Sequence, residues 1–162
     1  MRTAAVAGLS VLTLGPVVVA WGVWSYLRPA SPNEVAAPQP IGVEVRDGQV
    51  AFVVHLVRCG PSARAVHGQR CEVVVGARND GNHPVRVPAG AQLLLADTGA
   101  RHLPVPEEER LPFGTLVPGE AATAILTFDL PTESRPLAVQ VHTDPYTEGQ
   151  AVRIGTPLPL AE

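Results

Sequence analysis

From Val50 onward, apolar residues recur at every second position in short runs, each bounded by turn residues, and this period of two most narrows the possible folds. Val50, Phe52, Val54 and Leu56 form one face of a first strand, and Ala51, Val53, His55 and Val57 the other. Further runs are read at 71–78, 85–87, 92–96, 101–105, 120–130, 137–141 and 151–154. Between them lie Asn79-Asp80-Gly81-Asn82, Asp97-Thr98-Gly99, Pro118-Gly119 and the stretch from Pro131 to Arg135, all turn chemistry. Asn79 to Gly81 is expected to cap a hairpin. Seven or eight strands with regular turn signals, and no helical period, predict an all-β antiparallel β-sandwich over 42–158, with a tail at 159–162.

Ahead of this domain stands a different kind of segment. Thr3 to Leu27 is 25 residues without a charged or histidine side chain, flanked by Arg2 and Arg28. That is long enough to cross a bilayer as one helix, whereas a secretory signal core is about 7–15 residues. Trp21, Trp24 and Tyr26 gather at its end, where amphipathic rings suit the headgroup level. The expectation is a retained anchor at 1–28 and an extracytoplasmic C-terminal domain. The alternative is cleavage near Ala20, after Val18-Val19-Ala20, and secretion. No cysteine precedes Cys59, which leaves no site for lipid attachment. Prolines 29, 32, 38 and 40 make 29–41 a semi-extended linker.

All 12 basic residues are arginine, a bias of composition rather than a site. Beyond the anchor, ten arginines face fifteen carboxylates, so the surface repels nucleic acid and no basic stripe offsets it. Glu107-Glu108-Glu109 reads as a solvated loop. Cys59 and Cys71 have neither redox C-x-x-C spacing nor a second pair for zinc. Outside the cytoplasm they form a structural disulfide, worth about 3 kcal/mol on the chain-entropy model.

The ordered pieces Val54 to Cys59, Cys71-Glu72-Val73-Val74-Val75-Gly76-Ala77-Arg78-Asn79-Asp80-Gly81 and Pro84-Val85-Arg86-Val87 continue with Leu93 to Asp97. Val117-Pro118-Gly119-Glu120 and Leu126-Thr127-Phe128-Asp129-Leu130-Pro131 complete the set. Together, over roughly 48–155, they resemble the bacterial domain-of-unknown-function 4352 family. The resemblance implies an immunoglobulin-like extracytoplasmic sandwich, often tethered to the membrane, and brings no catalytic residues.

Asp97-Thr98-Gly99-Ala100 after Leu93-Leu94-Leu95-Ala96 matches the catalytic loop of retroviral-type aspartic proteases, where two aspartates share a proton. The supporting glycine segment is poor, since Arg153-Ile154-Gly155 has one apolar residue before its glycine, and a hairpin turn explains Asp97 more simply. Histidines 55, 67, 83, 102 and 142 lack metal-ligand spacing, so no metal and no cofactor are expected. No G-x-S-x-G elbow or phosphate-binding glycine loop occurs. The reading is a non-catalytic envelope module whose partners are the membrane, through 3–27, and a protein, peptide or wall component. Gly8, Gly15 and Gly22 suggest an alternative, an accessory subunit whose anchor packs in a membrane complex. Loops 60–70, 105–116 and 143–150 are the expected variable surfaces.

Overall fold

Strand after strand forms where the alternation runs longest. The computed structural model describes residues 37–106 and 113–160. The expected anchor at 3–27, the cleavage site near Ala20, most of the linker and Glu107–Glu109 lie outside the described residues. Within them the chain forms Gln39–Pro40 (β1), Glu44–Asp47 (β2), Val50–Pro61 (β3), Gly68–Asn79 (β4), Val85–Arg86 (β5) and Leu93–Ala96 (β6). There follow Arg101–His102 (β7), Thr115–Leu116 (β8), Ala121–Pro131 (β9), Pro136–Val141 (β10), Gln150–Arg153 (β11) and Leu158–Pro159 (β12). One short 3-10 helix spans Ala89–Ala91. Among the described residues no helix is long and apolar enough to cross a membrane.

One sheet has the order β1-β11-β10-β6-β7, and the other β12-β3-β4-β9 with β2 beside β3; β5 and β8 pair separately. Most pairings are antiparallel, while β1–β11 and β12–β3 are parallel. The inward faces meet in one core, with Phe52, Val73, Val75, Leu126 and Phe128 from one sheet and Leu94, Val139, Val141 and Val152 from the other. Each large side chain removed from water there stabilises the fold by about 1.5–3 kcal/mol. The expected all-β sandwich is the architecture found.

Several details depart from the sequence reading. Strict alternation along β3 breaks at His55, because pairing passes from Val54↔Val75 to Leu56↔Val74. This bulge leaves His55 exposed and turns Val57, not Leu56, into the core. The expected loop 60–70 is shorter than read, since β3 runs to Pro61 and β4 begins at Gly68, leaving residues 62–67 to connect them. Asn79 to Gly81 caps no hairpin, since β4 pairs with β3 and β9 while β5 belongs to a separate pair. Instead the fully buried Asn79 amide donates to the carbonyls of His83 and Leu116 at 2.8 and 2.9 Å, and its oxygen accepts from Gly81 N. The linker's end is strand β1, and the tail begins inside β12, which docks beside Arg58 and Cys59. Asp97 to Gly99 do form the expected hairpin turn, between β6 and β7.

Cys59 and Cys71 stand directly opposite each other in β3 and β4, 4.2 Å apart at Cα, and are joined by a disulfide.

Candidate functional site

Strand direction sorts the loops into two groups at opposite ends of the sandwich. Residues 62–67, the β6–β7 turn and the β9–β10 turn share one end; the β2–β3 turn, Pro118-Gly119 and loop 142–149 share the other.

At the first end, loop 62–67 folds over the outer face of β9. Asp129 points outward there but is buried, because Val66 N donates to its Oδ2 at 3.0 Å and Arg70 Nε to its Oδ1 at 3.3 Å. The Arg70–Asp129 pair is largely out of water, with side chains 12% and 8% exposed, so the buried Asp129 carboxylate depends on Arg70 for compensation. Arg70 also reaches the carbonyl of Arg64, fixing the loop that covers it. Farther along, Val105 N donates to Thr127 O at 2.7 Å and brings the segment after β7 against the edge of β9. Between these coverings lies an open cleft of about 400 Å³, lined by Val66, His67, Arg101, His102, Leu103 and Asp129 among others. The fold therefore brings His67 and His102 to one cleft, which their spacing in sequence does not reveal. His102 Nε2 is buried with no partner among the described residues.

The second end holds a polar clamp. Asp47, last residue of β2, is buried, and its Oδ2 accepts from Thr143 N at 2.6 Å and Thr147 Oγ1 at 2.9 Å. Its main-chain carbonyl accepts from Thr143 Oγ1. Gln92 is fully buried and pairs with the backbone of His142 in both directions: His142 N donates to Oε1 at 2.8 Å, and Nε2 donates to His142 O at 2.9 Å. Nε2 also donates to Pro88 O. The His142 ring, itself buried, places Nδ1 3.2 Å from Thr147 O. A carbonyl only accepts, so the proton sits on Nδ1. Nε2 is left buried and unpartnered among the described residues. Above the clamp, Asp144 Oδ1 accepts from Tyr146 N and closes a tight turn. Tyr146 at its tip is 95% exposed.

The remaining sequence candidates are placed as follows. Asp97 is exposed, and its Oδ1 accepts from Arg135 N at 3.0 Å, which ties the β6–β7 turn to the β9–β10 turn. His55 and His83 are exposed and far from the cleft in sequence and strand position. No three His, Cys, Asp or Glu side chains among the described residues are placed to hold a metal ion. Toward the second end, Glu44 and Arg46 of β2, Arg78 of β4 and Asp80 just beyond it form a four-membered ion-pair network. The Arg78 hydrogen bond, more than its charge, holds the Asp80 carboxyl below the usual range, and Asp80 in turn raises the Arg78 guanidinium.

Asp47, Gln92 and Tyr146 carry no sequence signal of a site. Gln92 beside Leu93-Leu94-Leu95 is the one hint, a polar residue at the mouth of an apolar strand.

No family model matches the chain, and no curated protein matches it in sequence. Solved structures match its fold. A secreted protein of Mycobacterium tuberculosis, MPT63, superposes with a TM-score of 0.55 at 18% identity, over 72% of this chain and 95% of its own. The yjhA protein of Bacillus subtilis gives 0.51 at 20% identity, over 64% of this chain and 81% of its own. At such identities the likeness is one of architecture: the chain shares its β-sandwich with these two bacterial proteins.

Proposed function

We propose that the chain is a non-catalytic binding module of the bacterial cell envelope, held outside the cytoplasm by a membrane anchor at 3–27. Its head is an immunoglobulin-like sandwich of the domain-of-unknown-function 4352 kind, a reading that rests on the order of its motifs. The disulfide carries the proposal. Two cysteines at directly opposed positions of β3 and β4 are joined, and such a bond persists in oxidising compartments. The uncharged run upstream supplies the route there, and a secreted protein among the structural neighbours is in keeping with it. Asp97 is assigned a turn role, because its carboxylate is spent on the backbone of Arg135.

Maleimide labelling of the full chain in intact cells, before and after reduction, tests this together with external protease digestion. Expected is no labelling until reduction, and loss of the head to protease. Two free thiols on a protease-protected head would refute it. An Asp97→Asn variant with altered behaviour, its fold intact, would refute the turn assignment.

A further inference from the structure

Of the large apolar side chains exposed among the described residues, Tyr146 is the most exposed, ahead of Val66 at 82%. The loop beneath it is unusually committed. A carboxylate, an amide and an imidazole, from Asp47, Gln92 and His142, are buried to hold it. Burying such groups weakens a fold unless their partners are well placed, so the arrangement favours a defined loop shape over the cheaper option of a free loop. A preset loop loses little entropy on binding, and tyrosine is among the side chains that most often dominate an interface.

The tip is convex. Two clefts among the described residues, around His102 and around Arg64, lie at the opposite end. Small ligands need concave sites, whereas a projecting ring enters a recess on another protein. Charge indicates the rim of that recess. Asp144 and Glu148 lie two residues to either side of Tyr146 in the same loop, both exposed and without an ion pair among the described residues. The nearest arginine on β11, Arg153, pairs with Ala138 near the start of β10, away from the loop. Two carboxylates beside the ring repel anionic lipid headgroups and attract arginine or lysine, which also stack on a tyrosine face.

We propose that Tyr146, on the clamped loop 143–149, is the anchor by which the module docks into a basic-rimmed recess of a partner protein. This rests on the binding-module reading and specifies its surface.

The test incorporates the photocrosslinker p-benzoylphenylalanine at position 146, or at position 103 in the cleft, of the full chain in living host cells. Adducts are identified by mass spectrometry, and the captured protein is then purified for binding measurements. Expected are an adduct at 146, and Tyr146→Ala binding about 30-fold weaker with an unchanged melting temperature. D144N/E148Q should bind more weakly and lose most of the salt dependence seen in the parent. A partner captured only at 103, binding Tyr146→Ala as well as the parent, overturns the loop assignment and leaves the module reading standing. A lipid adduct at 146 overturns it in favour of a membrane contact. No adduct at either position overturns the module reading along with it.

Discussion

Gln92→Leu isolates the contribution of the clamp. Leucine has nearly the volume of glutamine but removes both bonds to the His142 backbone and the bond to Pro88 O. The cavity stays filled, so the loss falls on two orphaned buried groups, His142 N–H and C=O. Each costs about 1–3 kcal/mol. The leucine methyls recover roughly 1 kcal/mol through burial. A net loss of about 3 kcal/mol follows, which for a domain of this size lowers the melting temperature by about 9–15 °C. Differential scanning calorimetry measures the shift, and amide exchange at His142 localises it. Exchange there should accelerate at least about tenfold, while the β3–β4 ladder changes only with global stability. Gln92→Glu provides a control of opposite logic. Glutamate still accepts from His142 N but presents an oxygen to the carbonyls of His142 and Pro88, so it should be worse than leucine at neutral pH. Acid that protonates it restores a donor and part of the stability. A Gln92→Leu protein melting within about 1 °C of the parent, with His142 protection intact, would refute the claim that these bonds hold the loop.

Removing both cysteines, C59A/C71A, should cost about 3 kcal/mol, read by urea titration, with the parent under reductant showing a similar loss. Asp129→Ala should cost about 3–5 kcal/mol by the same measure, because Arg70 loses a partner in a largely buried site and Val66 N loses its acceptor. Gly149→Ala meets two obstacles, a positive φ of 65° and a new Cβ placed 2.7 Å from Val141 O and 2.5 Å from His142 Cε1. The ring can shift but the carbonyl cannot, so a loss of about 2 kcal/mol or more is expected, with displaced His142 resonances in NMR spectra. For Asp80, whose carboxyl is held low, the stabilisation is complete above the ordinary carboxylate range and disappears as pH falls through its folded value. Asp80→Asn should therefore flatten the acid limb of melting temperature against pH, and added salt should shrink the difference because the network is exposed.

The strands were legible because a half-buried strand writes its two faces into alternate residues. All eight expected runs, from Val50 to Ile154, contain strand in the structure. Periodicity failed where the backbone broke its own rule. The bulge at His55 reverses which side of β3 faces the core, and nothing in Val54-His55-Leu56-Val57 marks it. The strands that went unread, β1, β2, β8 and β12, are of two to four residues, too short to display a period. The asparagine turn was misread for a related reason. Asn79 to Gly81 has the composition of a hairpin, but the Asn79 amide joins its own loop, at His83 O, to strand β8, at Leu116 O. The clamp was invisible, since Asp47, Gln92 and His142 are 45 residues or more apart and become neighbours only after both sheets are packed. Cysteines are the exception among distant pairs. Their chemistry admits so few partners that two of them in an oxidising setting predict their own contact.

Where the clamp's residues come from bears on what the second end of the sandwich does. Asp47 ends β2, in the β3–β4 sheet, whereas loop 143–149 joins β10 to β11 of the opposite sheet. The three bonds Asp47 accepts therefore run between sheets. Gln92 acts within its own sheet, fixing the start of the loop against β6. The first end is built otherwise: Asp97 and Arg135 bind within one sheet, and Arg70 and Asp129 within the other. At the Asp47 end, side-chain bonds thus couple the position of a surface loop to the distance between the sheets. A ligand pressing on loop 143–149 acts directly on that spacing. Asp47→Ala, which frees the loop from the other sheet but spares Gln92, should accordingly raise exchange at Thr143 and Thr147 more than at His142; equal acceleration at all three would show that the loop moves as one body and that the inter-sheet bonds hold no separate part of it.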